Sequence, residues 1–196
     1  MRFIFASVIA YFIGNISSAY LAGRCFGNID IREHGSGNAG ATNTLRVLGL
    51  KPALLTLAGD ILKGVVAVLI GRYLGGLQGE LLGAAFVIVG QIWPVLLGFH
   101  GGKGVATALG AMMTVQPAVT AVCALIALAI MALTKYVSLG SILGVTLFGI
   151  VLIVMKTPVE MKLFAVFVVG LIVFAHRTNI KRLLTGTEKK LGQKEK

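Results

Sequence analysis

The sequence predicts an all-α integral membrane protein with seven transmembrane helices, its N-terminus outside and its C-terminus in the cytoplasm. Three observations carry that reading. Of 196 residues, 57% are hydrophobic and only 13% charged, and mean hydropathy is +0.91. A soluble domain carries about a quarter charged residues, so polar surface is too scarce to cover a globule in water. Apolar runs recur along the chain, and roughly 20 such residues cross a hydrocarbon core. The Lys and Arg residues then fall unevenly on the two sides of the bilayer. A single membrane domain, 1–196, is expected, ending in a basic tail from His176 to Lys196.

The first span covers about Ile4 to Ala22, and its polar stretch Asn15-Ile-Ser-Ser-Ala-Tyr20 is expected to face other helices rather than lipid. A polar segment follows from Gly23 to Lys51. Span two covers about Pro52 to Gly71 and carries Asp60 and Lys63 at i, i+3, which suits a structural ion pair. The turn Gly75-Gly-Leu-Gln-Gly79 leads to span three, about Leu81 to Phe99. The apolar stretch from Gly104 to Leu133 is too long for one crossing. At 1.5 Å per residue it would reach about 45 Å, against a core of about 30 Å. Gln116-Pro117 divides it into spans four and five, because the residue before proline disfavours helix. Lys135 to Gly140 reads as a loop, Ser141 to Met155 as span six, and Val159 to Ala175 as span seven.

The split at Pro117 decides the orientation. With seven spans, thirteen Lys and Arg residues between Arg24 and Lys196 share one face, while Arg2, Arg72, Lys156 and Lys162 share the other. With six spans the asymmetry vanishes or reverses. The positive-inside rule therefore places the rich face, and all the longer polar segments, in the cytoplasm.

Net charge is +11. In a soluble protein that balance suggests nucleic acid. Between apolar runs it suits anionic headgroups or phosphorylated substrates instead, and no nucleic acid partner is expected. Cys25 and Cys123 predict neither a disulfide nor a metal or redox pair. The N-terminal apolar run lacks a small-residue cleavage site and reads as a span rather than a removed signal.

Four constellations carry possible chemistry. In Gly35-Ser-Gly-Asn-Ala-Gly-Ala-Thr-Asn43, glycines Gly35 and Gly37 let backbone N–H groups converge on an anion. Ser36, Asn38, Thr42 and Asn43 add donors, Thr42 or Asn43 is placed to cap a helix, and Arg46 suits a bidentate grip on phosphate. Gly101-Gly102-Lys103-Gly104 opens span four and makes an anion site at a helix N-terminus. It is not a nucleotide-binding P-loop, since Gly104 stands where Ser or Thr belongs and no strand precedes it. His176 and Asn179, at i and i+3, share a face of a continuing helix, and histidine near neutral pKa relays protons. Ser138 and Ser141 lie in a loop on the same face, as phosphate donors or ordinary capping residues. The competing reading of each loop is an inert polar connection, and of Lys189 to Lys196 a segment binding anionic lipid. Scattered acids predict no metal site, and no Ser-His-carboxylate or Cys-His set supports a covalent acyl-enzyme.

The segments Gly35–Asn43, Gly98-Phe-His-Gly-Gly-Lys-Gly-Val-Ala-Thr107 and His176-Arg-Thr-Asn-Ile-Lys-Arg-Leu-Leu-Thr-Gly-Thr-Glu188, with Asn15–Leu21, resemble the signature motifs of the bacterial membrane glycerol-3-phosphate acyltransferases that use acyl-phosphate. The resemblance covers essentially the whole chain. It implies seven spans in the bacterial inner membrane and an active site open to the cytoplasm. It implies acyl transfer from acyl-phosphate to the 1-hydroxyl of glycerol-3-phosphate, giving lysophosphatidic acid and phosphate, without a cofactor or an obligate protein partner. Gln91 departs from the histidine usual in the family, and His100 from a basic residue. On this reading Lys103, Ser36, Asn38 and loop N–H groups hold acyl-phosphate. Arg46, His176 and Asn179 grip glycerol-3-phosphate, and the acyl chain lies between spans among membrane lipids. The proton acceptor is His176 or the substrate's own phosphate. A transporter of a phosphorylated solute is the alternative, though no inverted repeat supports it.

Overall fold

A computed structural model describes residues 1–193, and among these the regular structure is entirely helical. Lys194 and Lys196, two of the cations on the rich face, lie outside the described residues. Packing divides the chain into two compact units, Met1–Val115 and the residues from Gln116 onward.

The first unit contains α1 (Arg2–Asn15), α2 (Ser18–Gly27), α3 (Ala41–Leu48), α4 (Leu50–Ile92) and α5 (Val105–Val115). The expected single first helix is broken at Ile16–Ser17. Ser17 caps α2 by accepting the Tyr20 N–H at 3.3 Å, and the freed Ile16 carbonyl accepts from Lys63 Nζ at 2.8 Å. The polar stretch does face inward, with Asn15, Ser17 and Ala19 buried. Helix α4 holds expected spans two and three and is interrupted by non-helical backbone at Gly75 and Gly76. Gly76 takes φ +57°, a left-handed value that favours glycine. The chain reverses there, because Gly71 meets the Gly79 backbone and a Cβ on Gly83 would lie 2.6 Å from the Ala67 carbonyl oxygen. The second limb ends at Ile92 rather than Phe99, since Pro94 excludes a helical Trp93, which sits at φ −126° and ψ 69°.

Lipid supplies no hydrophobic drive for helices to associate, so close backbone approach through small residues takes its place. Gly14 and Gly90 join α1 to the second limb of α4, and Gly64 and Gly110 join the first limb to α5. A side chain at Gly64 would strike the Thr107 carbonyl and come within 2.9 Å of Ala111 N. Gly64→Leu is therefore expected to destabilise the protein by about 1–3 kcal/mol through overpacking, read as a lower thermal midpoint in detergent. Gly170→Leu, at a position where a Cβ meets nothing within 4 Å, should leave the midpoint unchanged.

The second unit contains α6 (Pro117–Thr134), α7 (Val137–Val154), α8 (Val159–Ala175) and α9 (Arg177–Leu184). The break predicted before Pro117 is present, with Gln116 at φ −141° and ψ 75° and Pro117 in the first position of α6. The loop expected over Lys135–Gly140 shrinks to two residues. Lys135 adopts φ 64°, ending α6, and Tyr136 N–H donates to the Thr134 hydroxyl at 3.2 Å. Ser138 and Ser141 thus lie in the first turns of α7, not in a loop. The helix expected to continue through His176 bends by 61° there into α9.

By length and apolar character, Arg2–Gly27, Leu50–Leu97, Pro117–Thr134 and Val137–Val154 can each cross a membrane, and the bent pair α8–α9 makes a fifth candidate. Helix α5 has 11 residues, about 16 Å at 1.5 Å each. That is half the thickness a full crossing needs, so span four as expected is too short to traverse the core by itself.

Candidate active site

In the first unit two polar loops are held together by the side chains of Arg32 and Gln91 and by close packing of Gly102 on Ala39. The loop after α2 is held in shape by side chains. Asp30 accepts the Arg32 N–H at 3.0 Å and pairs with its guanidinium, Nη2 to Oδ2 at 2.7 Å. Hydrogen bonding from Arg32 brings the Asp30 pKa down to about 2. Arg32 Nη1 also donates to the Leu97 carbonyl at 2.8 Å, fastening this loop to the segment before Gly98. Asn43 is 1% exposed and fully engaged. Its Oδ1 accepts the Ser36 N–H at 2.8 Å, and its Nδ2 donates to the carbonyls of Ile31 and His34. Asn43 therefore shapes the loop rather than facing a ligand. It does not cap α3, and neither does Thr42: the cap position is Gly40.

Gly35 and Gly37 have φ of +60° and +71°. Ser36 between them is exposed, Asn38 is half-buried, and Thr42 is exposed at the start of α3. Thr42 and Arg46 are four apart and share a helix face. Arg46 is half-buried and has no acidic partner among the described residues.

The second loop, 98–104, lies against the first. Gly102 N–H donates to the Gln91 carbonyl at 3.0 Å. A side chain at Gly102 would strike the Ala39 carbonyl and come within 2.6 Å of Gln91 Nε2. A side chain at Gly101 would strike the Gln91 carbonyl. These two glycines are thus required by close packing. Gly98 and Gly104, at φ +63° and +78°, take left-handed backbone. Lys103 is half-buried beside the start of α5, where the Gly104 carbonyl accepts the Ala108 N–H at 2.7 Å. The first N–H groups of α5 have no carbonyl within the helix to bond. A glycine loop, a lysine and a helix N-terminus together favour an anion.

In the second unit His176 and Asn179 are 2% and 4% exposed. His176 Nδ1 lies 2.8 Å from the Ile172 carbonyl. A carbonyl only accepts, so Nδ1 carries a proton and Nε2 is the nitrogen whose protonation can change. Asn179 Nδ2 and Ser138 Oγ each donate to Glu188 Oε1 at 2.6 Å, and Arg182 Nε donates to Oε2 at 2.7 Å. Burial works to raise the Glu188 pKa, but the hydrogen bonds from Ser138, Arg182 and Asn179 outweigh it, and the net shift is downward. Glu188 thereby ties the segment after α9 to the start of α7, where Leu191 N–H also donates to the Lys135 carbonyl at 2.8 Å. Ser141 Oγ donates to Val137 within its own helix at 2.9 Å. The His34 and His100 rings lie against the nearby carbonyls of Asp30 and Gly98.

A family model described as glycerol-3-phosphate acyltransferase matches residues 4–186. The chain belongs to that family. It is 49% identical over 194 residues to the glycerol-3-phosphate acyltransferase of Thermoanaerobacter sp. (strain X514), covering 99% of this chain and 98% of that one. It is 45% identical to the enzyme of Clostridioides difficile (strain 630), covering 98% and 97%. Among solved structures it is similar to PlsY (YgiH), an integral membrane glycerol 3-phosphate acyltransferase, in its glycerol 3-phosphate form, at TM-score 0.92, 38% identity and coverage of 98% and 96%. The lysophosphatidic acid form of PlsY aligns at TM-score 0.90 and 37% identity.

Within this acyltransferase fold, sequence reasoning missed two positions. Glu188 organises Asn179 and Ser138, and its only signal was being the single acid between His176 and Gln193 in a basic tail. Gln91 carries no sequence signal beyond its departure from the family's histidine, yet it bonds both glycine loops.

Proposed function

We propose that this chain transfers a fatty acyl group from acyl-phosphate to the 1-hydroxyl of glycerol-3-phosphate, releasing lysophosphatidic acid and inorganic phosphate, as the first step of phospholipid synthesis at the cytoplasmic face of a bacterial inner membrane. The joined glycine loops carry this reading. Gly102 packs on the Ala39 carbonyl, which also accepts from Gln91, so the loop of Ser36 and Asn38 meets the loop that bears Lys103. The Ser36, Gly37 and Gly40 N–H groups bond within their own loop, which leaves side chains and Lys103 to meet phosphate oxygens. Substrates and product are phosphate esters, and acyl-phosphate is already activated, so the protein needs chiefly to orient the reactants and stabilise charge.

In this reading Lys103, Ser36 and Asn38 hold acyl-phosphate, with Gly37, Gly101, Gly102 and Gly104 shaping the loops. Arg46 and Thr42 take the phosphate of glycerol-3-phosphate. Asn43 keeps its loop in shape. His176 and Asn179 serve the attacking hydroxyl, while Ser138 positions Glu188, which holds Asn179, and Ser141 remains within its helix. The hydroxyl oxygen bonds to the acyl carbon, the carbon–oxygen bond to phosphate breaks, and the hydroxyl proton passes to His176 Nε2 or to a phosphate oxygen of the acceptor. The orientation with the N-terminus outside follows from the cation asymmetry, with α5 and the loop before it making the fourth crossing.

The test is purified protein with acyl-phosphate and labelled glycerol-3-phosphate. The expected result is a labelled lipid-soluble product and one phosphate released per product. Failure to form product, with solute uptake into vesicles, would favour a transporter instead.

A further inference from the structure

One buried residue bonds both glycine loops. Gln91 is 3% exposed. Its side-chain Nε2 donates to the Ala39 carbonyl at 3.3 Å, on the first loop. Its main-chain carbonyl accepts the Gly102 N–H at 3.0 Å, on the second. Its Oε1 accepts from Lys63 Nζ. Lys63, 7% exposed, is anchored in turn by the Asp60 carboxylate at 2.8 Å and the Ile16 carbonyl at 2.8 Å. The amide has one orientation that satisfies both neighbours. An ammonium only donates, so it must face Oε1, and a carbonyl only accepts, so it must face the NH₂ group. The cation on α4 thereby dictates which way Gln91 points its donor, and the donor fixes the Ala39 peptide that Gly102 packs against.

Resting on the acyltransferase reading, we propose that Gln91 is a positioning residue for the reaction: oriented by the Asp60–Lys63 pair, it sets the spacing of the two loops that hold the phosphate groups. The same network explains why an ion pair stands in an apolar helix. It costs desolvation and is retained where a fixed donor direction is needed.

Three variants test the proposal, measured as folded protein in detergent by the acylation assay, with KM for each substrate and thermal midpoint recorded separately. Gln91→Glu keeps an acceptor for Lys63 but offers the Ala39 carbonyl no donor. It should lower kcat/KM about 100-fold, the size expected when groups are misplaced by about 1 Å, with a raised KM for at least one phosphate substrate. Gln91→Leu should do the same. Gln91→His supplies one N–H and one lone pair, the same donor and acceptor, and should stay within about fivefold of wild type. Wild-type kinetics in the glutamate variant would overturn the role of the donor. A loss confined to the yield of folded protein, with KM unchanged, would reduce Gln91 to a packing residue and overturn the proposal as well. If Gln91→Leu does not fold, the glutamate and histidine pair still decides. An inactive wild type would instead sink the reaction assignment, which these comparisons leave distinguishable.

Discussion

Replacing Lys103 by methionine is expected to lower kcat/KM by about 10³-fold or more while the purified protein keeps its thermal midpoint. The expectation follows from where the charge sits. Lys103 is flanked by Gly102, packed against Ala39, and Gly104, held at φ +78°. It precedes a helix whose first N–H groups lack partners within the helix. Three features that favour an anion thus coincide at one residue, and only one of them is a full charge. Removing a single neutral donor from a preorganised site already costs 10²–10³ in rate, and a full positive charge opposite a phosphate is expected to exceed that. A loss of 10³ corresponds to about 4 kcal/mol of transition-state stabilisation. Methionine preserves the length and much of the volume of the side chain, so packing is kept and the loss reports charge. Lys103→Arg should recover only part of the activity, because the guanidinium fork is broader and differently directed than an ammonium. Robust turnover in the methionine variant would remove the phosphate site from this loop.

The features that the sequence disclosed are those written in residues with strong local preferences. Pro117 marks the division between α5 and α6, and Gly75–Gly76 the reversal within α4, because proline and glycine act through their own backbone. Asp60 and Lys63 were legible as a pair because two opposite charges three residues apart in an apolar run have few alternatives. What Lys63 holds was not legible. Its contacts reach back 47 residues to Ile16 and forward 28 to Gln91, and no local pattern encodes such distances. The break after Asn15 was missed for the same reason: it depends on Ser17 as a cap and on a distant lysine for the orphaned carbonyl. Lys135 in left-handed backbone gave no glycine or asparagine signal, which moved Ser138 and Ser141 from a loop into α7.

The candidate site divides along the same line. Its glycine loops were readable as elements, yet the reasons for individual residues differ from those the motif suggests. Gly101 and Gly102 are glycine because Gln91 and Ala39 leave no room for a Cβ, and Asn43 is asparagine because three backbone groups need it at once. Composition shows that such residues are present, but only the fold shows which partners they serve.

His176→Ala is expected to lower kcat about 100-fold at saturating glycerol-3-phosphate, within the range of 10²–10⁴ that a positioned acid or base contributes. The imidazole is 2% exposed and anchored through Nδ1 to the Ile172 carbonyl, at the 61° bend between α8 and α9. Anchoring there fixes the tautomer, so Nε2 is the nitrogen able to take a proton from the attacking hydroxyl. The competitor is chemical rather than structural. The second pKa of a phosphate monoester is near 6, so the acceptor's own phosphate can also take the proton at neutral pH. Two variants separate the possibilities. His176→Asn offers an N–H in place of the imidazole but no basic nitrogen, so it should fold like wild type and lose as much turnover as the alanine variant if Nε2 accepts the proton. The pH profile of kcat then carries the decision. A histidine base gives a rise near its own pKa that disappears in both variants, together with most of the rate. Near-normal turnover in His176→Ala, with the rise intact, would assign the proton to the substrate phosphate and leave His176 as a structural pin at the bend.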